Sequence, residues 1–124
     1  MANDLALVLE LLRQGAELEW RNPVGDTPLS HACILGSYEA AEALCAHGAE
    51  LDTRDKWQYT PLMNAAHNGH PKICEMLLAL GANPSLKSEY GKTALDIARE
   101  ENKAETAAGR AECAALLQPA TPSS

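Results

Sequence analysis

The sequence predicts an all-α repeat solenoid of stacked helix-turn-helix units joined by β-hairpin loops, and three observations carry that expectation. Thr27-Pro28-Leu29 returns as Thr60-Pro61-Leu62 and again as Thr93-Ala94-Leu95, each step 33 residues. Gly15-Ala16, Gly48-Ala49 and Gly81-Ala82 keep the same step, while Gly25 and Gly91 share a phase with Gln58 between them. Of the 124 residues 46% are hydrophobic, yet five are aromatic and none is Phe, so Leu and Ala must fill the interior. A fixed period of this length marks units that bury their apolar faces by stacking on one another.

Taken in order, residues 1–21 read as a partial unit. Gly15 is in phase with Gly48 and Gly81, so Asp4 to Gln14 corresponds to a second helix whose first helix is missing. Its leucines, among them Leu5 and Leu9, cover more than one face and leave apolar surface without its natural cover. That pattern fits either a chain cut from a longer array or an edge that binds something, itself included.

Residues 22–54, 55–87 and 88–118 follow as units. In each, Thr27, Thr60 or Thr93 suits an N-cap, its hydroxyl accepting from an unpaired backbone N–H. Pro28 and Pro61 fall at the first helical position, where a missing N–H costs nothing. Gly36 and Gly69 suit the end of the first helix, where a positive φ is wanted, and Gly48 and Gly81 close the second. About ten polar residues then run to the next Thr, enough for an extended hairpin. In the last unit, Cys113 to Leu117 aligns with Cys74 to Leu78 at a shift of 39, which places six inserted residues near Asn102 to Ala107. Residues 119–124 read as a disordered tail.

Helix, turn, helix and hairpin at this period resemble the ankyrin repeat. The motifs are Gly25-Asp-Thr-Pro-Leu, Thr60-Pro-Leu-Met-Asn-Ala-Ala-His-Asn-Gly-His, Leu77-Leu78 with Gly81-Ala82, and Gly91-Lys-Thr-Ala-Leu-Asp-Ile-Ala, and they cover roughly residues 4 to 117. A tetratricopeptide array has a similar length but lacks the Thr-Pro-Leu cap and the Gly-closed hairpin. Two departures stand out. Ser30, Asn64 and Asp96 replace the family's usual His after Thr-Pro-Leu, and are expected to bond a neighbouring loop instead. Gln58 stands where Gly is usual, which implies a non-Gly left-handed residue or another turn type. The resemblance implies a non-catalytic protein-interaction module whose concave surface is formed by hairpin tips and first-helix faces.

Charge and chemistry narrow the alternatives. Seventeen acids against ten bases give a formal charge of −7, unfavourable for a generic binder of nucleic acid or anionic membrane. No stretch approaches the roughly 18 apolar residues of a membrane span, and no basic n-region opens the chain. A cytoplasmic protein, with the nucleus as an alternative, is the expectation. Cys33, Cys45, Cys74 and Cys113 form no C-x-x-C pair and match no zinc spacing, so they read as free thiols filling the core. No Gly-rich phosphate loop, G-x-S-x-G or H-E-x-x-H motif occurs. No catalytic residue, metal ligand or cofactor is expected.

Specificity should then sit where the units differ and point outward. Three phase-matched windows, 20–26, 53–59 and 86–92, hold four of the five aromatics and five of the ten bases, but three of the seventeen acids. Arg21, Arg54 and Lys87 should line up as a row of cations, and Val24, Trp57 and Tyr90 as a row of apolar anchors. Trp20, Asp26, Lys56, Tyr59 and Lys92 belong to the same tips, and the resemblance adds Ile34, Leu35, His67 and Asn68 from the first-helix faces. Trp, Tyr and Arg are the residues binding hot spots favour. The expected partner is a protein or peptide with acidic and apolar groups. The alternatives are that Trp57 and Tyr90 brace neighbouring loops, that the chain self-associates through Leu5 and Leu9, or that the cations meet nucleic acid.

Overall fold

The computed structural model describes residues 21, 23–100 and 107–117, with side chains in the last helix described from 109 onward. The expected N-terminal helix with Leu5 and Leu9, Trp20, residues 102–106 of the expected insertion at 102–107, and the tail lie outside those residues.

The described residues form six helices: α1 (Pro28–Leu35), α2 (Tyr38–Ala46), α3 (Pro61–His67), α4 (Pro71–Leu80), α5 (Ala94–Ala98) and α6 (Ala107–Leu117). Each threonine caps as its spacing predicts. The backbone at Thr27, Thr60 and Thr93 is extended, and each side-chain oxygen accepts the N–H three residues on, from Ser30, Met63 and Asp96. Pro28 and Pro61 take the first helical position, and Gly36 ends α1 at φ 78° with its N–H on the Ala32 carbonyl. Asn68 caps α3 before Gly69 turns the chain at φ 72°.

The helices form two layers. α1, α3 and α5 stack side by side in one, and α2, α4 and α6 in the other, with each first helix packed on its own second helix. Leu29, Leu62, Ile73, Leu77 and Ile97 fill the seam with alanines and Cys33, Cys74 and Cys113, all buried. Cys74 Sγ donates to Cys113 Sγ at 3.4 Å, so residues 39 apart in sequence occupy equivalent places on α4 and α6. Burial pushes the Cys33 thiol up, and the Cys113 contact followed by burial does the same at Cys74. Thiols held protonated in this way are packing groups rather than nucleophiles.

Two side chains tie helix ends together, one between successive units and one within the last unit. His70 Nε2 donates to the Ile34 carbonyl oxygen at 3.2 Å, which fixes the proton on Nε2 and satisfies an otherwise unpaired end of α1. Arg110, 2% exposed, donates from its Nη2 to the Ile97 carbonyl in α5, with the Glu100 carboxylate 4.0 Å away.

The loops differ from the expected hairpins: among the described residues no strand forms. The Asp55 N–H bonds the Tyr59 carbonyl at 3.0 Å, and Asp55 Oδ1 accepts from the Trp57 and Tyr59 amides, both at 2.9 Å. One loop on, the Ser88 N–H bonds the Lys92 carbonyl at 2.9 Å, and Ser88 Oγ accepts the Tyr90 N–H at 3.1 Å. A side chain that satisfies the amides of its own tip makes a turn and leaves little to pair as a ladder. Gln58 carries φ 64°, a left-handed residue with a side chain, where Gly25 and Gly91 carry 87° and 74°.

Of the residues after Thr-Pro-Leu, Ser30 and Asp96 serve the start of their own helix rather than a neighbouring loop. Ser30 Oγ accepts from the Thr27 hydroxyl at 3.2 Å, and Asp96 Oδ2 accepts the Thr93 N–H at 3.1 Å. Hydrogen bonds from Thr93 hold the Asp96 carboxyl below the usual range. Asn64 is buried at 6% exposure, and its Nδ2 has no hydrogen-bond partner among the described residues.

Candidate functional site

The loops stack directly on one another. The Lys56 N–H reaches the Val24 carbonyl at 3.0 Å, and the Glu89 N–H reaches the Trp57 carbonyl at 3.0 Å. Those bonds align the tips, and the cation row follows. Arg21 Nη1 donates to the Arg54 carbonyl at 2.6 Å and to its own loop's Gly25 carbonyl at 3.2 Å. Arg54 Nη1 donates to the Lys87 carbonyl at 3.0 Å. The row is therefore in register, but it differs from the expectation of cations held out for a partner. Each guanidinium is strapped to the backbone of the next loop, where its donor fork can serve two carbonyls at once. Lys87, third in the row, is exposed.

The apolar row splits. Val24 is half-buried, whereas Trp57 is 37% and Tyr90 61% exposed. Lys56 is exposed, with its ammonium 4.9 Å from the Trp57 ring centroid, within cation–π range.

Between these tips and the first-helix layer lies a cleft of about 310 Å³, lined by Asp26, Ile34, Asp55, Trp57, Tyr59, Asn64, His67 and Tyr90. The cleft brings together six residues expected at the site, Asp26, Ile34, Trp57, Tyr59, His67 and Tyr90, from three loops and two helices. Tyr59 and His67 meet edge to face, ring centroids 6.3 Å apart. Asp26, expected at an exposed tip, is buried at 8% because it immediately precedes the Thr27 cap and turns inward with it. Leu35, 54% exposed, lies outside the cleft lining, and so does Asn68, whose Nδ2 bonds the Asn64 carbonyl at 2.9 Å. Lys92 is ion-paired with Glu100, which raises its ammonium pKa.

Two lining residues escaped the sequence reading. Asp55 sits between two cations, Arg54 and Lys56, and reads as a charge offset; its signal was the Trp57-Gln58-Tyr59 that follows, a tip needing an acceptor. Asn64 was the one non-apolar residue in the run from Pro61 to Ala66.

The electrostatics are one-sided. Both aspartates are buried in the cleft wall, and none of its lining residues is Lys or Arg. Burial pushes the Asp55 carboxyl above the usual range, the Tyr59 and Trp57 amides oppose that, and Asp26 adds to it. Chemically the lining offers aromatic faces, carboxylates and an amide: groups that bind, with no hydroxyl or thiol nucleophile beside His67 other than a phenol. Among the described residues no group of three or more His, Cys, Asp or Glu is placed to hold a metal ion, and no helix is long and apolar enough to cross a membrane.

A family model for ankyrin repeats (3 copies) matches residues 1–88. Among curated proteins no sequence matches the chain.

Proposed function

Since the chain belongs to the ankyrin repeat family, whose members generally mediate protein–protein interaction, we propose that it is a non-catalytic module that grips a partner polypeptide along its loop tips and the cleft behind them. The observation that supports this reading most is the exposure of Trp57 and Tyr90 side by side at the mouth of a formed cleft. Large aromatic side chains are the ones that dominate binding energy when a partner covers them, and two of them stand exposed together at this cleft. The exposure of more than a third of each ring favours binding over the alternative in which Trp57 and Tyr90 brace neighbouring loops.

The partner lies across the tips with apolar groups on Trp57 and Tyr90. Acidic groups beside them meet Lys56 and Lys87, two exposed cations at this edge. A soluble cytoplasmic setting fits a chain of formal charge −7 with free thiols.

The test is capture of a partner by the wild type and by Trp57→Ala side by side, followed by calorimetric titration of the captured protein. Trp57→Ala weakens binding by about 2 kcal/mol or more, with helical circular dichroism unchanged. Equal affinity of the two proteins for the partner removes the site.

A further inference from the structure

Resting on the reading of the cleft as a protein-binding site, we propose that it receives one basic side chain, lysine or arginine, projecting from an extended partner segment.

Charge points there first. Two acids, Asp26 and Asp55, are buried in the wall beside His67, and none of the lining residues is Lys or Arg. Asp55, a buried carboxylate whose proton affinity burial and then Asp26 raise, gains from an entering cation.

The walls suit the same occupant. Trp57, Tyr59 and Tyr90 line one hollow, and aromatic faces attract ammonium and guanidinium groups through their quadrupoles while covering the alkyl stem. Lys56 already rests over Trp57 in this way, on the chain's own account. The volume of about 310 Å³ is at the small end for a ligand site and accommodates a side chain rather than a domain.

Asn64 makes the occupant a polypeptide rather than a free ion. Its buried Nδ2 lacks an acceptor among the described residues, and a metal ion, an ammonium ion or a polyamine brings none. An extended segment brings main-chain carbonyls with its basic side chain, so one ligand answers both the charge and the unpaired amide.

The experiment uses four acetylated, amidated peptides, Glu-Leu-X-Leu-Glu with X lysine, arginine, norleucine or glutamate, titrated into the full chain and followed by nuclear magnetic resonance at the Trp57 indole and the Asn64 side-chain amide. The lysine or arginine peptide binds about tenfold tighter than the norleucine and glutamate peptides, and the comparison between the two basic ones says which head group the cleft prefers. In Asp55→Asn the advantage falls to within about threefold. The new Oδ1 still accepts from the Trp57 and Tyr59 amides, so the tip keeps its shape. Asp26→Asn is the second variant and behaves alike.

Norleucine or glutamate binding as tightly as the basic residues overturns the charge preference and leaves the protein-binding reading standing. A preference unchanged in both asparagine variants, or no shift from any peptide, also overturns it. Failure of the wider reading shows separately, as Trp57→Ala binding the captured partner like wild type.

Discussion

Gly109→Ala lowers the unfolding free energy by about 3 kcal/mol, against the roughly 1 kcal/mol gain that helix propensity alone assigns to the change. Gly109 lies in the first turns of α6, against the loop that joins α3 to α4. A Cβ there overlaps the Gly69 carbonyl oxygen and stands 2.8 Å from its carbon and 3.0 Å from its Cα. These are backbone atoms, so relief requires α6 to move away from α4 as a whole. That motion opens the contact between Cys74 and Cys113 and unseats Arg110 from the Ile97 carbonyl. Urea denaturation followed at 222 nm measures the loss, and an alanine variant as stable as the wild type shows that α6 does not dock this closely.

Gly25→Ala has the second large effect, about 2 kcal/mol of destabilisation, and its origin is different. The residue is at φ 87°, where a side chain costs roughly 1–2 kcal/mol. Its Cβ also meets the backbone of the next loop, 3.1 Å from Asp55 Cα and 3.2 Å from the Lys56 nitrogen. Gly91 is the internal control. It shares the phase and the sign of φ, at 74°, but a Cβ there has nothing within 4 Å. Gly91→Ala therefore reports the left-handed strain alone, and the excess at Gly25 reports loop stacking. Because the neighbour displaced is Asp55, Gly25→Ala also weakens binding through Trp57, whereas Gly91→Ala alters stability more than affinity. Equal destabilisation by the two substitutions in denaturant melts removes loop contact as a cause.

Much of the architecture was legible because it is written in residues with few conformational uses. A threonine before proline and leucine caps a helix, and Thr27, Thr60 and Thr93 do so through the same bond. The 39-residue shift that aligns Cys113 with Cys74 rests on core packing, which repeats for the same reason the core repeats, and the two sulfurs touch. Gln58 was readable as an exception at a glycine phase and holds its positive φ.

What misled was chemistry that depends on the next unit. An arginine spaced by 33 residues announces a row but not what the row faces. Only the stacked loop supplies the carbonyls of Arg54 and Lys87 that receive Arg21 and Arg54. The loops looked long enough for strands, yet Asp55 and Ser88 consume the tip amides locally. Asp26 and Asn64 enter the cleft because the Thr27 cap and α3 turn them inward, a consequence of helix phase across two units rather than of either residue's polarity.

The rim exists only if adjacent loops sit in register, and amide hydrogen exchange at Lys56 and Glu89 tests that most directly. Both residues are exposed and outside any helix, and their N–H groups are held by the Val24 and Trp57 carbonyls of the loop before. In-register stacking slows their exchange by roughly a hundredfold relative to an unstructured chain. Exchange at the unstructured rate at both amides, while Leu77 in the core of α4 stays protected, contradicts the rim and the binding site built on it.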